Sequence, residues 1–75
     1  MDQYKNLSGE SGVKGYEIAS DSITVEFKDG SAYLYTYASA GREAIETMKQ
    51  LAKGGTGLNA FINTRVKKNY AKKLR

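Results

Sequence analysis

The chain contains no cysteine, histidine, tryptophan or proline among its 75 residues. Without cysteine and histidine it lacks a disulfide, the thiol nucleophile, the commonest general base and the usual transition-metal ligands. We therefore expect a non-enzymatic protein with no metal and no other cofactor. The missing cysteines, and the lack of an apolar signal region at the start of the chain, favour a reducing, cytoplasmic setting.

Carboxylates are missing from the second part of the chain, after Glu46. Residues 1–46 carry four basic and eight acidic side chains, a balance of −4, whereas residues 47–75 carry eight basic and no acidic ones, a balance of +8. When positive and negative side chains are separated in this way, the electrostatic field attracts polyanions to one surface. No apolar run approaches the roughly 20 residues of a membrane helix, so we expect no membrane partner.

The chain is short enough for one domain. Residues 1–12 show neither helical nor strand periodicity, and we interpret them as a flexible N-terminal arm. Tyr4 and Leu7 are large enough to dock on the core instead. Residues 13–75 form the predicted single domain.

Three strands are predicted before residue 38. The first begins at Val13, and the second alternates Ile23, Val25 and Phe27 with polar residues, as a half-buried strand does. Asp29 and Gly30 then predict a tight hairpin turn, and residues 31–37 (SAYLYTY) return as the third strand.

Two helices follow in the predicted order β-β-β-α-α. Ser39 is a candidate N-cap for the first, and its apolar positions recur every three or four residues until two glycines, Gly54 and Gly55, end it. Beyond Gly57 the residues Leu58, Ile62, Val66, Tyr70 and Leu74 recur every four positions and predict a second helix. The fold class is α+β: a three-stranded antiparallel sheet followed by a two-helix hairpin.

The length of the hairpin loop decides where the tyrosines lie. A two-residue loop of Asp29 and Gly30 would place Tyr33 and Tyr35 on the outer face, as a stacking platform. A three-residue loop that includes Lys28 would place them on the core face, because a shift by one residue moves the whole row. The second register buries more apolar area, which a small chain needs, and we favour it.

Two stretches of the sequence resemble a known family. They are Phe27–Lys28–Asp29–Gly30 with Tyr33–Leu34–Tyr35, and Gly55–Thr56–Gly57–Leu58–Asn59–Ala60–Phe61–Ile62. In order and spacing the chain, over residues 13–74, resembles the KTSC domain. That family is a short module at the C-terminus of some lysyl-tRNA synthetases, and it also forms free-standing proteins of bacteria and their phages.

The resemblance implies no established activity, although the synthetase context suggests RNA binding. It also implies that Tyr33 and Tyr35 belong to the family's Y-x-Y motif, which favours the buried register. The chain departs from the pattern at Lys53, where a serine is usual, and at Leu58, where an aromatic residue is usual. No proline follows the tyrosine strand.

The basic residues near the C-terminus form the main candidate site. Arg65, Lys68, Lys72 and Arg75 are spaced to share one face of the predicted last helix, and Lys67 and Lys73 flank that face. Such a helix can neutralise several phosphates. The alternative is that it is an ordinary solvated helix surface, on which lysines cover the edges of the apolar stripe. The predicted nucleic-acid-binding residues are Arg65, Lys67, Lys68, Lys72, Arg75, Tyr33, Tyr35 and Asn59.

Two functions remain open at this point. The first is a small accessory module that binds nucleic acid, favouring RNA, through the basic C-terminal helix. The second is a protein-interaction or regulatory module, bacterial or phage, whose basic helix meets an acidic protein surface. The glycine-rich loop at residues 54–57 is more typical of a helix connection than of a phosphate loop.

Overall fold

The computed structural model describes residues 2–7, 12–66 and 68–75. Its strands are β1 (Asp2–Gln3), β2 (Val13–Ile18), β3 (Ser22–Phe27), β4 (Ala32–Thr36) and β5 (Lys72–Lys73). Its helices are α1 (Tyr37–Ala40), α2 (Arg42–Gly54) and α3 (Leu58–Phe61), and α3 runs into a π-helical turn at Ile62–Val66.

The strands of the described residues form one antiparallel sheet in the order β1-β2-β3-β4-β5. The α+β class is thus confirmed, but the sheet has five strands in this part of the chain and not the predicted three. The two additional strands are short edge strands, and each is recruited from a segment that was predicted to be an arm or a helix.

The hairpin between β3 and β4 takes the register that we favoured. Val25 pairs with Tyr33 and Ile23 with Tyr35. The Phe27 amide donates to the Ser31 carbonyl, the Gly30 amide donates to the Phe27 carbonyl, and Gly30 has φ 93°. This is a three-residue loop with glycine in the left-handed position, which residues with a Cβ rarely adopt.

The entry to the helices differs from the predicted cap. Thr36 is the N-cap of α1: its hydroxyl accepts from the Ser39 amide, and the Ser39 hydroxyl accepts from the Thr36 amide. Ser39 therefore completes a capping box from within the helix. The predicted end of the long helix is confirmed, because α2 stops at Gly54 and Gly55 follows with a left-handed φ of 80°.

The predicted basic C-terminal helix is wrong. Helical structure ends at Val66, and Lys72 and Lys73 pair with Leu34 and Tyr33 as a strand. The Ala71 amide donates to the Leu34 carbonyl, and the Leu74 amide donates to the Ala32 carbonyl. A longer helix would leave these groups at the edge of β4 without their partners, and the ladder hydrogen bonds outweigh the intrinsic helix preference of Ala71, Lys72 and Leu74.

The N-terminal residues lie against the domain, where the sequence predicts a flexible arm. Asp2 and Gln3 pair with β2, and Tyr4 is buried at 3% exposure with its hydroxyl accepting from the Leu58 amide. Tyr4 thus takes the docked position that was the alternative, whereas Leu7 stays 69% exposed. Met1 and residues 8–11 of the predicted arm lie outside the described residues.

The core lies between one face of the sheet and the helices. The sheet contributes mainly aliphatic residues and Tyr35, the helices contribute one face each, and the N-terminal segment adds Tyr4. The buried residues that form this cluster are Tyr4, Val13, Ile23, Val25, Tyr35, Ile45, Met48, Ala52, Leu58, Ile62 and Val66. Within residues 68–75, Tyr70 alone packs against this cluster.

Candidate nucleic-acid interface

The C-terminal strand brings lysines beside the tyrosine strand. Lys73 pairs with Tyr33 and Lys72 with Leu34. Neighbouring residues of a strand point to opposite faces, so the two ammonium groups emerge on both sides of the sheet edge. Sequence spacing placed Lys72 on a helix face with Arg65, whereas the fold places it on a strand beside Lys73, which the predicted site residues had omitted.

Lys73 lies over the partly exposed ring of Tyr33, which packs against two further aromatic rings. Its Nζ atom lies 5.8 Å from the centroid of the Tyr33 ring. The Tyr33 ring contacts Tyr70 at a centroid distance of 4.7 Å and Phe27 at 5.8 Å, the latter edge to face. A cation within about 6 Å of a ring is attracted by its quadrupole. The sequence predicts Tyr70 as part of the apolar repeat of the last helix. In the structure it lies beside Tyr33, because the chain leaves the helix and returns to the edge of β4.

Tyr35 is a core residue and offers no surface to a ligand. The residue is 2% exposed, and its ring contacts Tyr70 edge to face. Burial raises the pKa of Tyr35 to about 12, with smaller contributions from the neighbouring Tyr33 and Tyr70. Of the two tyrosines in the predicted site, only Tyr33 is accessible enough to meet a partner.

Two cations of the basic half are held by carboxylates. The Arg75 guanidinium donates to Glu26 Oε2 at 3.0 Å, and Lys49 Nζ donates to Glu46 Oε2 at 2.9 Å. Glu46 also accepts from the Tyr37 hydroxyl, and this hydrogen bond, ahead of Lys49, lowers the pKa of Glu46. Arg75 is therefore partly neutralised, and its contribution to anion binding is weaker than the sequence predicts.

The remaining predicted residues are spread over the fold. Arg65 lies in the π-helical turn, several residues before β5 in the sequence. Lys68 follows that turn as an exposed residue. Lys67 lies outside the described residues. Asn59 is half-buried in α3, and its Oδ1 atom lies 3.6 Å from where a Cβ on Gly12 would stand. That position fits bracing of Gly12, the residue before β2.

We define the C-terminal basic segment as Lys68, Lys72 and Lys73. Among the residues that the structure describes, none of these lysines has a carboxylate within ion-pair distance. The charge of Lys73 does reach Asp29, whose pKa is lowered mainly by hydrogen bonds from Ser31 and to a lesser degree by Lys73. The arrangement places Lys73 beside the Tyr33 ring and Lys72 next to it on the same strand, and these exposed cations suit contacts to phosphate.

The chain matches no protein-family model, and comparisons with curated proteins and with solved structures gave no match. The resemblance to the KTSC domain therefore stays a prediction from short motifs. Within residues 2–7, 12–66 and 68–75, no helix is long and apolar enough to cross a membrane. The same residues contain no cluster of three acidic side chains that could hold a metal ion.

Proposed function

We propose that this protein is a non-enzymatic RNA-binding module that contacts the phosphate backbone through its C-terminal basic segment. The observation that carries the proposal is the pairing of Lys72 and Lys73 with the Tyr33 strand, without carboxylate partners among the described residues. Lysines on both sides of one sheet edge can follow a flexible backbone, because single-stranded nucleic acid adapts to the spacing of the cations.

The charge distribution supports a polyanion as the partner. Residues 47–75 carry a balance of +8, and only Lys49 and Arg75 among their described cations are paired. Release of condensed counterions from RNA would drive association. The partly exposed ring of Tyr33, next to Lys73, adds a surface on which a base can rest.

The test is a titration of labelled single-stranded RNA with the full chain, followed by fluorescence anisotropy at several salt concentrations. Contacts from Lys68, Lys72 and Lys73 predict a slope of about −2 in log K against log salt, at about −0.7 per neutralised phosphate. The double variant Lys72→Gln/Lys73→Gln should bind more weakly, with a slope of about −0.7.

A matched control removes the same charge elsewhere. Lys14→Gln/Lys53→Gln also takes away two exposed lysines, one in β2 and one in α2, and should keep the wild-type slope. Equal weakening by both double variants would show that only net charge matters and would remove the assignment to the C-terminal segment. Absence of any anisotropy change at low salt would defeat the RNA proposal.

The competing hypothesis is an acidic protein partner. Such a partner would be recovered from nuclease-treated extracts, and its affinity would not depend on the length of added RNA. That result, together with a purified protein free of nucleic acid, would replace RNA as the partner while keeping the basic segment as the contact surface.

A further inference from the structure

A surface groove of about 670 Å³ lies where α1, α2 and the π-helical turn meet. Arg42, the first residue of α2, and Arg65, in the π-helical turn, both line it. The groove does not include Lys68, Lys72 or Lys73, so it is separate from the C-terminal basic segment. The groove is open to solvent, so a ligand in it would keep part of its surface exposed.

The two arginines of the groove are available to an anion. In the part of the chain that the structure describes, neither guanidinium has a carboxylate within ion-pair distance, and this includes Glu43, which lines the same groove. Guanidinium groups present forked donors that match phosphate oxygens in a bidentate manner. Two such groups from different elements, lining one groove, suit a phosphate with several free oxygens.

The rest of the lining indicates more than a phosphate. Ala40, Ala44 and Phe61 supply an apolar surface, and the groove is far larger than a single phosphate group. An aromatic ring such as Phe61 can pack against a base. Glu43 adds one carboxylate, the group that dinucleotide-binding folds use to accept hydrogen bonds from ribose hydroxyls.

We propose that this groove binds a nucleoside 5′-phosphate, with the phosphate held by Arg42 and Arg65, the ribose at Glu43 and the base against Phe61. This goes beyond the proposed function, because it requires no contact from the C-terminal basic segment. Two sources share the chemistry: a free mononucleotide and the 5′-phosphorylated end of an RNA.

The experiment follows backbone amide signals of the full chain by nuclear magnetic resonance during titration with adenosine 5′-monophosphate. We expect saturable shifts at Gly41, Ala44 and Phe61, and binding of adenosine at least about tenfold weaker, because it lacks the charged acceptor. Arg42→Gln and Arg65→Gln should each weaken nucleotide binding about tenfold for the same reason. Lys53→Gln, which removes an exposed charge at the other end of α2, should leave it unchanged.

Two RNA arms identify the source of the ligand. A short RNA with a 5′-phosphate and the same RNA with a 5′-hydroxyl are titrated into the Lys72→Gln/Lys73→Gln variant, in which the C-terminal contact is weakened. Groove shifts with the phosphorylated RNA alone would assign the site to RNA ends, and shifts only with the mononucleotide would assign it to free nucleotides. The proposal is overturned by equal binding of adenosine and its phosphate, or by wild-type affinity in both arginine variants with unchanged melting temperatures.

Discussion

At the scale of single residues, Tyr35 shows how burial links stability to pH. Its pKa is about 12 in the folded chain and 10 in a model peptide, so the folded state favours the neutral phenol. The resulting stability is present in full below pH 10 and is lost as the pH rises from 10 through 12. A shift of about two units corresponds to about 2–3 kcal/mol of unfolding free energy.

The measurement is urea denaturation at pH 9 and at pH 12, for the wild type and for Tyr35→Phe. The phenylalanine variant keeps the ring but cannot ionise, so its unfolding free energy should fall by about 2–3 kcal/mol less over this interval. Titration of the lysines affects both proteins and cancels in the comparison. An identical fall in both would mean that Tyr35 ionises as freely in the folded chain as in the unfolded one.

At the scale of elements, the end of α2 packs directly against the N-terminal segment. The Leu7 amide donates to the Gly55 carbonyl, and a Cβ on Gly55 would stand 2.5 Å from the Lys5 Cβ. Gly55→Ala should therefore destabilise by about 1 kcal/mol or more, through its left-handed backbone and this clash. Gly54→Ala is the matched control: it is helical with open space, so we expect stabilisation by up to about 1 kcal/mol.

Thermal denaturation of the two variants checks this prediction. Opposite signs are expected from neighbouring glycines that differ only in backbone conformation and in what lies near their Cβ positions. A loss of only about 1 kcal/mol, the cost of the left-handed backbone alone, would indicate that residues 5–7 move away from α2 easily, whereas a neutral Gly55→Ala would contradict the prediction.

The elements that the sequence predicts well are those set by local chemistry. Gly30 specifies the hairpin turn, and Gly55 specifies the end of α2, because each has a left-handed backbone that few residues adopt. The four-residue repeat through Tyr70 and Leu74 misleads, since the edge of β4 recruits that segment by hydrogen bonds between residues far apart in sequence. Likewise, nothing local to Arg42 and Arg65 shows that the fold brings them to one groove.

At the scale of the whole molecule, the sheet ends in short strands of two residues at both edges. Short edge strands carrying lysine protect a sheet from pairing with another copy. Deleting residues 71–75 would expose the ladder groups of β4 at Ala32 and Leu34. We expect the truncated chain to self-associate, with sedimentation velocity showing dimers or larger species that increase with protein concentration.

The deletion also removes three cations and lowers the net charge from +4 to +1, which by itself favours association. The full-length variant Lys72→Gln/Lys73→Gln/Arg75→Gln has the same net charge of +1 and keeps the backbone of β5. It should stay monomeric at concentrations where the truncated chain associates, because its edge remains paired. Equal association of the two proteins would show that charge, and not the covering strand, keeps this sheet edge apart from its neighbours.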